Sequence, residues 1–364
     1  MTKLDREMGR TAGLRLRLLE WYTHNRRDLP WRQNTNPYAI WVSEIMLQQT
    51  RVAVVVERYQ AFMARFPTLV SLAQAPEQEV LALWSGLGYY RRARMLHQAA
   101  RLVAESCCGE LPTASGELRK LPGIGAYTAA AISSIAHDEA VAVVDGNVER
   151  VLCRLAGWEA GKAGGAAFRR KIEKLAAKLV DPRRPGDFNQ AMMELGATVC
   201  LPRNPQCLVC PLAADCVTQG EHKTLPRPPM QSREVGHGLS VRIGREPGEA
   251  NQEVLLEQRP ASLTVMPGLW ELPALRDPSV PEADLRMTVR HAIMQVNYYV
   301  RIRTVLEDDI EALTVPGGER RWIPLSQAAG MALTGLTRKV LSRARLLPGP
   351  PRHDIAPPPR KDVL

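Results

Sequence analysis

The sequence lacks the apolar segments that membrane insertion or secretion would need. No run of about 18 apolar residues, the length of a membrane-spanning helix, occurs in the chain. The opening residues MTKLDREMGR do not contain the apolar core of a signal peptide. We therefore expect no membrane partner and no secretion. We predict a cytoplasmic protein, associated with the nucleoid if the source is bacterial.

Aromatic residues and cysteines are also few. Aromatic side chains make up 5% of the 364 residues, and no phenylalanine follows Phe188. The seven cysteines of an unsecreted protein should be reduced thiols or metal ligands rather than disulfides. Hydrophobic residues make up 45%, enough for packed cores, and the length suggests two domains. The net charge of +10 suits a polyanionic partner, although a basic chain can simply be soluble.

A glycine-rich turn, LPGIGAYTA, stands out in the first half of the chain. Gly123 and Gly125 allow positive φ angles and close approach by another backbone. The alanine-rich run after them predicts a helix from about 126 to 136, whose N-terminus would attract an anion. A preceding helix is expected at about 115–120. This pattern indicates a helix-hairpin-helix that holds a DNA backbone without reading bases. The alternative is an ordinary glycine turn between two helices.

Two carboxylates are placed to carry opposite protonation states. Glu44 interrupts an apolar helical run that follows the N-cap signal Asn36-Pro37. Burial would raise its pKa and keep it protonated, as a general acid requires; an exposed glutamate is the alternative. Asp145 precedes a helix, where capping would keep it ionised, and a capping role alone is the other interpretation. One acid and one anion suit glycoside cleavage.

Four cysteines lie close together in CLPRNPQCLVCPLAADC, namely Cys200, Cys207, Cys210 and Cys216. Four thiols so close together in an unsecreted chain indicate a metal or cluster site. Zinc usually takes two close pairs of ligands, and here one pair is close, which favours a single [4Fe–4S] cluster. Zinc and free thiols are the alternatives.

Aromatic and basic residues alternate near residue 90. Tyr89 and Tyr90 precede Arg91, Arg92 and Arg94. Aromatics beside arginines suit stacking on bases and contact with phosphates, while a solvated helix start explains the pattern equally well.

A change of pattern divides the chain. We predict an all-α domain at 1–221 with its cluster loop at 200–216, a linker at 222–234, an α+β domain at 235–346 and a disordered proline-rich tail at 347–364. The alternating segments HGLSVRIG, QEVLLEQRP, NYYVRIRTV and RRWIPL predict strands. A closing helix is expected in LSQAAGMALTGLTRKVLSRARL.

Residues 12 to 217 resemble the helix-hairpin-helix DNA glycosylases that carry an iron–sulfur cluster. The shared motifs are LPGIGAYTA, VVDGNVERV and the C-x6-C-x2-C-x5-C spacing. Within that superfamily the chain resembles the adenine DNA glycosylases over roughly residues 12 to 340. LPWR and WVSEIMLQQTRV resemble their adenine-pocket and intercalation segments. Tyr127 stands where endonuclease III carries a Schiff-base lysine, and GLWELP is similar to a Nudix-like domain.

The resemblance implies a monofunctional DNA glycosylase of base excision repair. Such an enzyme flips adenine opposite 8-oxoguanine or guanine out of double-stranded DNA and hydrolyses its N-glycosidic bond. We expect a monomer. Glu44 would protonate adenine, Asp145 would stabilise the sugar cation, and Tyr127 and Asn147 would support them. The residues implied to bind the substrate are Trp31, Arg32, Leu47, Gln49, Tyr89 and Glu194, with Gly123 and Gly125 on the DNA backbone.

The chain departs from this resemblance in its second half. The family's oxidised-guanine loop has a Phe-Ser-His element after Arg-His, whereas here Ile293, Met294 and Gln295 follow Arg290-His291. His291, Met294 and Gln295 would form that loop, and we expect weaker discrimination between 8-oxoguanine and guanine. Compensation by Tyr298 is the alternative. The glutamate-rich Nudix hydrolase box does not occur, so this domain should bind rather than hydrolyse.

Two competing interpretations stay open. An endonuclease III-like glycosylase and lyase for oxidised pyrimidines would share most of the motifs, although Tyr127 and the second domain argue against it. A cluster-stabilised DNA-binding protein without activity would need Glu44 and Asp145 to be structural.

Overall fold

The computed structural model describes residues 3–106, 109–159, 165–222, 229–244, 252–293 and 295–347. The chain divides into two compact units: Met1–Val80 with Tyr89–Arg227, and Leu81–Gly88 with Pro228–Leu364. Within these described ranges, no helix is long and apolar enough to cross a membrane. The predicted tail at 347–364 lies outside the described residues except for Leu347.

The chain before residue 200 is helical. Its helices are α1 (Lys3–Asn25), α2 (Pro37–Leu47), α3 (Val52–Arg65), α4 (Leu69–Gln74), α5 (Glu77–Leu83), α6 (Arg91–Ser106), α7 (Ser115–Leu118), α8 (Ala126–His137), α9 (Gly146–Ala156), α10 (Ala166–Leu179) and α11 (Pro185–Thr198). The predicted N-cap Asn36 is confirmed, since its side chain accepts hydrogen bonds from the N–H groups of Tyr38 and Ala39. The predicted helix after the glycine turn is confirmed as α8.

Two packing features of this region position the site described below. Helices α1, α9, α10 and α11 bury one apolar cluster that includes Leu18, Leu152 and Phe188. Helix α2 is apolar on all sides and buried from Tyr38 to Met46, as expected of a helix inside a core. Any polar group on α2 is therefore shielded from water.

The second unit is built on β-strands. These are β1 (Gln231–Leu239), β2 (Val241–Ile243), β3 (Gln252–Gln258), β4 (Trp270–Glu271), β5 (Ala274–Leu275), β6 (Leu285–Ile293), β7 (Val296–Thr304), β8 (Thr314–Val315) and β9 (Glu319–Pro324). They form one sheet of order β6-β7-β1-β5-β8 and another of order β2-β3-β4, with β9 pairing β3. Strand β1 runs parallel to β7, and β6 runs antiparallel to it. The predicted strands and the α+β class of this unit are confirmed.

The predicted closing helix is confirmed as α14 (Gly335–Arg343), and a separate short helix, α13 (Leu325–Ala328), begins the same stretch. Another short helix, α12 (Ile310–Leu313), precedes β8. Between α13 and α14 the chain forms a bridge from Leu333 to Trp270. Thr334 then caps α14 by accepting from the N–H of Thr337. Pairing with the sheet therefore outweighs the helical periodicity of the segment.

Two other expectations about this unit change. Strand β1 begins at Gln231, whose N–H donates to the carbonyl of Gln295, so the last residues of the predicted linker belong to a strand. His291 was predicted in a loop, but it lies in β6, paired with Tyr298 of β7. The remaining domain boundaries stay predictions.

Candidate active site

Glu44 lies on α2 and is 95% buried, with 5% of its surface exposed. Its Oε2 accepts a hydrogen bond of 2.5 Å from the hydroxyl of Tyr127. Burial raises the pKa of Glu44 to about 7, although the Tyr127 hydrogen bond lowers it and the nearby Asp145 carboxylate raises it further. A substantial fraction of Glu44 is therefore protonated near neutral pH, as a general acid requires.

Tyr127 connects Glu44 to the glycine turn. It stands in the first turn of α8, and its hydroxyl also lies 3.4 Å from the Sδ atom of Met193. Burial raises its pKa well above the usual value, and the charges of Glu44 and Asp145 add to that effect. Because Asp145 acts on the pKa values of both Tyr127 and Glu44, the structure brings these three predicted catalytic residues together.

Asp145 is the N-cap of α9, as predicted. Its Oδ1 accepts a 2.7 Å hydrogen bond from the N–H of Val148, and its Oδ2 accepts one of 3.0 Å from Nδ2 of Asn147. These two hydrogen bonds hold the carboxylate at the N-terminus of α9. Asn147, the fourth predicted catalytic residue, thus contacts Asp145 directly.

The two glycines of the turn serve different purposes. Gly123 has φ of +76°, and a Cβ there would lie 2.8 Å from the Cβ of Met95. Gly125 has extended backbone and caps α8, and a Cβ there would have no neighbour within 4 Å among the described residues. The preceding helix, α7, ends at Leu118, two residues earlier than predicted. The positive φ expected of both glycines is found only at Gly123.

A buried carboxylate on α11 is bound by two arginines. Glu194 is fully buried, and Arg27 binds Oε1 at 2.7 Å while Arg32 binds Oε2 at 2.8 Å. Burial alone would raise the pKa of Glu194, but the two guanidiniums outweigh it and lower the pKa. The sequence pointed to Arg32 and Glu194 and missed Arg27, which lies in a polar loop with no local signal. Trp31 beside them is buried edge-to-face against Tyr59, with ring centroids 5.4 Å apart.

Gln49 and Tyr89 meet at one cavity of about 350 Å³. The cavity is also lined by Gly123 and Arg92. Leu47, the last residue of α2, is half-buried and does not line it. The structure therefore brings two of the residues predicted to bind the substrate next to the glycine turn.

Arg150 connects the Asp145 region to the cysteine loop, and sequence reasoning missed it. Its guanidinium donates to Oδ1 of Asn147 at 2.8 Å, to the carbonyl of Gly196 at 2.5 Å and to the carbonyl of Cys200 at 2.8 Å. Gly196 permits this close packing of α11 on α9, since a Cβ there would lie 2.7 Å from the Cβ of Asn147. A single sequence gives no signal for contacts between residues so far apart in the chain.

The four clustered cysteines line one small cavity together with Arg154. Among the described residues they form no disulfide. Nη1 of Arg154 lies 3.3 Å from Sγ of Cys200 and also donates to the carbonyl of Leu201. Within the described part of the chain, no three His, Cys, Asp or Glu side chains are grouped tightly enough to hold a single metal ion. The donor set is four thiols beside a cation, which fits a thiolate-ligated metal or metal cluster.

The residues predicted to read the oxidised base belong to the second unit. His291 is half-buried in β6, and burial together with Lys339 lowers its pKa. Gln295 lies exposed in the turn between β6 and β7. Met294 lies outside the described residues.

The helices and the paired carboxylates define a base excision repair protein. Residues 42–182 match the family model described as "HhH-GPD superfamily base excision DNA repair protein". A solved structure of a thermostable thymine-DNA glycosylase is similar, with 28% identity and a TM-score of 0.54. The match covers 58% of this chain and 98% of that one.

Curated relatives extend the likeness into the second unit. An adenine DNA glycosylase of Mus musculus is 35% identical, over 95% of this chain and 82% of its own length. Another, of Homo sapiens, is 39% identical over 75% of this chain, which spans 59% of that relative. The chain belongs to the adenine DNA glycosylase family, enzymes that act as N-glycosylases in base excision repair.

Proposed function

We propose that this chain removes adenine paired with 8-oxoguanine or guanine in double-stranded DNA by acid-assisted hydrolysis. The observation that carries the proposal is the buried Glu44, which is partly protonated near neutrality, and the nearby Asp145 carboxylate, which is bound by Val148 and Asn147. The second unit, which we propose to be Nudix-like, would contact the base opposite the adenine. The family membership supports the choice of adenine.

The chemistry follows from the two protonation states. Glu44 gives its proton to N7 of the flipped adenine, and the bonding electrons of the N-glycosidic bond leave with the base. The resulting sugar cation is stabilised by the negative charge of Asp145. Water then adds to the sugar carbon and releases a proton. Each of these steps uses a group that the first unit supplies, and Asn147 keeps the Asp145 carboxylate in place.

The adenine pocket is formed by charged groups held in fixed positions. Glu194 has an oxygen in contact with each of Arg27 and Arg32, so its carboxylate cannot rotate freely. A planar base can be oriented by such a rigid set of donors and acceptors. Trp31 supports the pocket wall by its packing on Tyr59. Because Tyr127 is not an amine, a Schiff base cannot form there, and we propose a monofunctional glycosylase.

DNA would be held beside this pocket. Gly123 and Gly125 place the N-terminus of α8, with its free N–H groups, where a phosphate would be bound. Leu47, Gln49 and Tyr89 would enter the base stack and support the extruded adenine. We propose that the chain acts as a monomer on this duplex.

We propose that Cys200, Cys207, Cys210 and Cys216 hold a [4Fe–4S] cluster. Such a cluster would cross-link the loop that follows α11. Iron and acid-labile sulfide analysis of the purified chain should give about four of each per chain. Finding zinc without sulfide would replace the cluster with a zinc site and would leave the glycosylase proposal standing.

A strand-cleavage experiment tests the main proposal. A duplex with a single A:8-oxoguanine pair is incubated with the protein and then treated with alkali, which cleaves abasic sites. Wild type should give one cut at the adenine, and Glu44→Gln should bind the same duplex without cutting it. Cutting without alkali, with an adduct trapped by borohydride, would instead establish a lyase. Duplex binding with no cut in either case would leave a DNA-binding protein without this activity.

A further inference from the structure

Arg92, in the first turn of α6, binds the C-terminal end of α2. Its Nη1 lies 2.8 Å from the carbonyl of Ile45, 3.0 Å from that of Met46 and 2.5 Å from that of Gln48. These carbonyls form the negative end of the α2 dipole, which stabilises a cation. Burial lowers the pKa of Arg92 to about 10, so the guanidinium remains charged at neutral pH.

Two residues near Arg92 have left-handed backbone. Gln49 has φ of +56° and Tyr89 has φ of +48°, although neither is glycine. Such conformations cost about 1–3 kcal/mol each and persist only where the surroundings fix them. Residues in strained conformations of this kind concentrate at functional sites.

Arg92 binds the residues on either side of Gln49 and contacts Tyr89 directly. Gln49 lies between Gln48 and Thr50, and Arg92 donates to the carbonyl of the first and, at 3.2 Å, to the hydroxyl of the second. Its backbone N–H donates to the carbonyl of Tyr89, and its guanidinium lies 5.7 Å from the Tyr89 ring centroid. One side chain therefore connects two segments that lie far apart in the sequence.

Both strained residues face the same space. Gln49 and Tyr89 line the cavity of about 350 Å³ beside Gly123, and the tyrosine is 51% exposed. An exposed aromatic ring and an amide held next to the glycine turn have the chemistry for entering a base stack.

We propose that Arg92 is the positioning residue that holds Gln49 and Tyr89 in the conformations with which they enter the DNA base stack. The inference rests on the proposed function. The Arg92 guanidinium donates hydrogen bonds to backbone carbonyls and to the Thr50 hydroxyl, which points to a positioning role rather than a catalytic one. Its loss should therefore impair extrusion of the adenine and leave cleavage of an already unstacked adenine much less affected.

The test compares variants of the full chain on two duplexes. In the first, 2-aminopurine replaces adenine opposite 8-oxoguanine, and its fluorescence reports extrusion on binding. In the second, adenine lies opposite an abasic site, where less unstacking is needed, and its release is measured at saturating protein. Arg92→Met removes the charge and the fork of donors, and Arg92→Lys keeps the charge. Arg101→Met is the matched control, since Arg101 also lies on α6 and donates to a backbone carbonyl, that of Ala73.

Arg92→Met should lose most of the fluorescence rise and should release adenine opposite 8-oxoguanine about 10- to 100-fold more slowly, in line with the strain that two left-handed residues store. Release opposite an abasic site should fall less than about threefold. Arg92→Lys should lie between Arg92→Met and wild type, and Arg101→Met should match wild type in both assays.

Two results would overturn the role of Arg92 and leave the proposed function standing. One is a full fluorescence rise in the Arg92 variants, and the other is an equal loss of adenine release on both duplexes. If Arg92→Met does not fold by circular dichroism, Arg92→Lys alone decides, and its wild-type behaviour would reject the role. A wild-type chain that releases no adenine from either duplex would instead reject the proposed function.

Discussion

The hydroxyl of Tyr127 donates a 2.5 Å hydrogen bond to the buried carboxyl group of Glu44. Tyr127 belongs to the first turn of α8, directly after the glycine turn, and Glu44 lies in the middle of α2. One hydrogen bond thus connects the segment proposed to bind the DNA backbone to the proposed proton donor. A shift of α8 on binding DNA would be transmitted to the acid that breaks the bond.

Adenine release should depend on a group with a pKa of about 7. Burial raises the pKa of Glu44 to about 7, so the acid form predominates below that pH and is lost as pH rises through it. Above it, the single-turnover rate should fall about tenfold per pH unit. The free energy of unfolding should decrease as pH rises from about 4.5 to about 7, because in that window the folded state keeps a proton on Glu44 that the unfolded state has lost. Glu44→Gln should release no adenine at any pH, and a wild-type rate that is unchanged in alkali would argue against Glu44 as the acid.

Tyr127→Phe should move the alkaline fall in the rate of adenine release to higher pH. The Tyr127 hydrogen bond lowers the pKa of Glu44, so removing the hydroxyl raises that pKa. Glu44 would then remain protonated into more alkaline solution. The measurement is the pH profile of single-turnover release for both proteins. A fall that shifts to lower pH would mean that Tyr127 acts on a different group.

Asp145→Asn and Asp145→Ala should separate charge from capping. Asparagine can still accept from the N–H of Val148, whereas alanine cannot. Both variants should lose about 100-fold or more in adenine release, because the stabilising anion is gone. Only Asp145→Ala should lose about 1 kcal/mol of unfolding free energy in urea denaturation. Activity retained in Asp145→Asn would reduce Asp145 to a structural cap.

Glu194→Met should be strongly destabilising. It leaves Arg27 and Arg32 without their shared carboxylate, and Arg32 is only 12% exposed at its side chain. Removing one partner of a buried ion pair costs about 3–5 kcal/mol, and the partial exposure of Arg27 places this site near the lower figure. Glu117→Gln is the control, since its pair with Lys120 is exposed and contributes less than about 1 kcal/mol. Equal unfolding free energies for both variants would contradict this account.

Discrimination between 8-oxoguanine and guanine should be weak. The turn after β6 offers Gln295 where the family resemblance leads us to expect an imidazole, and no aromatic residue stands at Ile293. Single-turnover rates on adenine opposite each base give the ratio directly. A triple variant, Ile293→Phe with Met294→Ser and Gln295→His, should increase that ratio. A high ratio in the wild-type chain would show that other residues read the oxidised base.

Local signals explain which parts of the structure could be predicted. The caps at Asn36 and Asp145 and the glycine turn depend on neighbours in sequence, and each appears as predicted. The closing helix occupies only the end of its stretch, because the central segment pairs with distant Trp270. Periodicity within the segment carries no information on that bridge.

The arginines of the site show the same limit. Arg27, Arg92 and Arg150 contact groups far away in the chain, and the sequence around them does not identify those partners. Glu44 and Asp145 could be singled out because a carboxylate within an apolar run, or at the start of a helix, is informative by itself.

Gly196 has a consequence for how this enzyme can vary. Helices α9 and α11 can pack this closely because residue 196 has no Cβ. Any other residue there would place its Cβ against Asn147. Enlarging that position by one carbon would push away the helix whose first residues orient Asp145, even though no reacting group had been replaced. The tolerance of the catalytic centre to substitution is therefore limited from outside the centre, by a residue with no side chain at all.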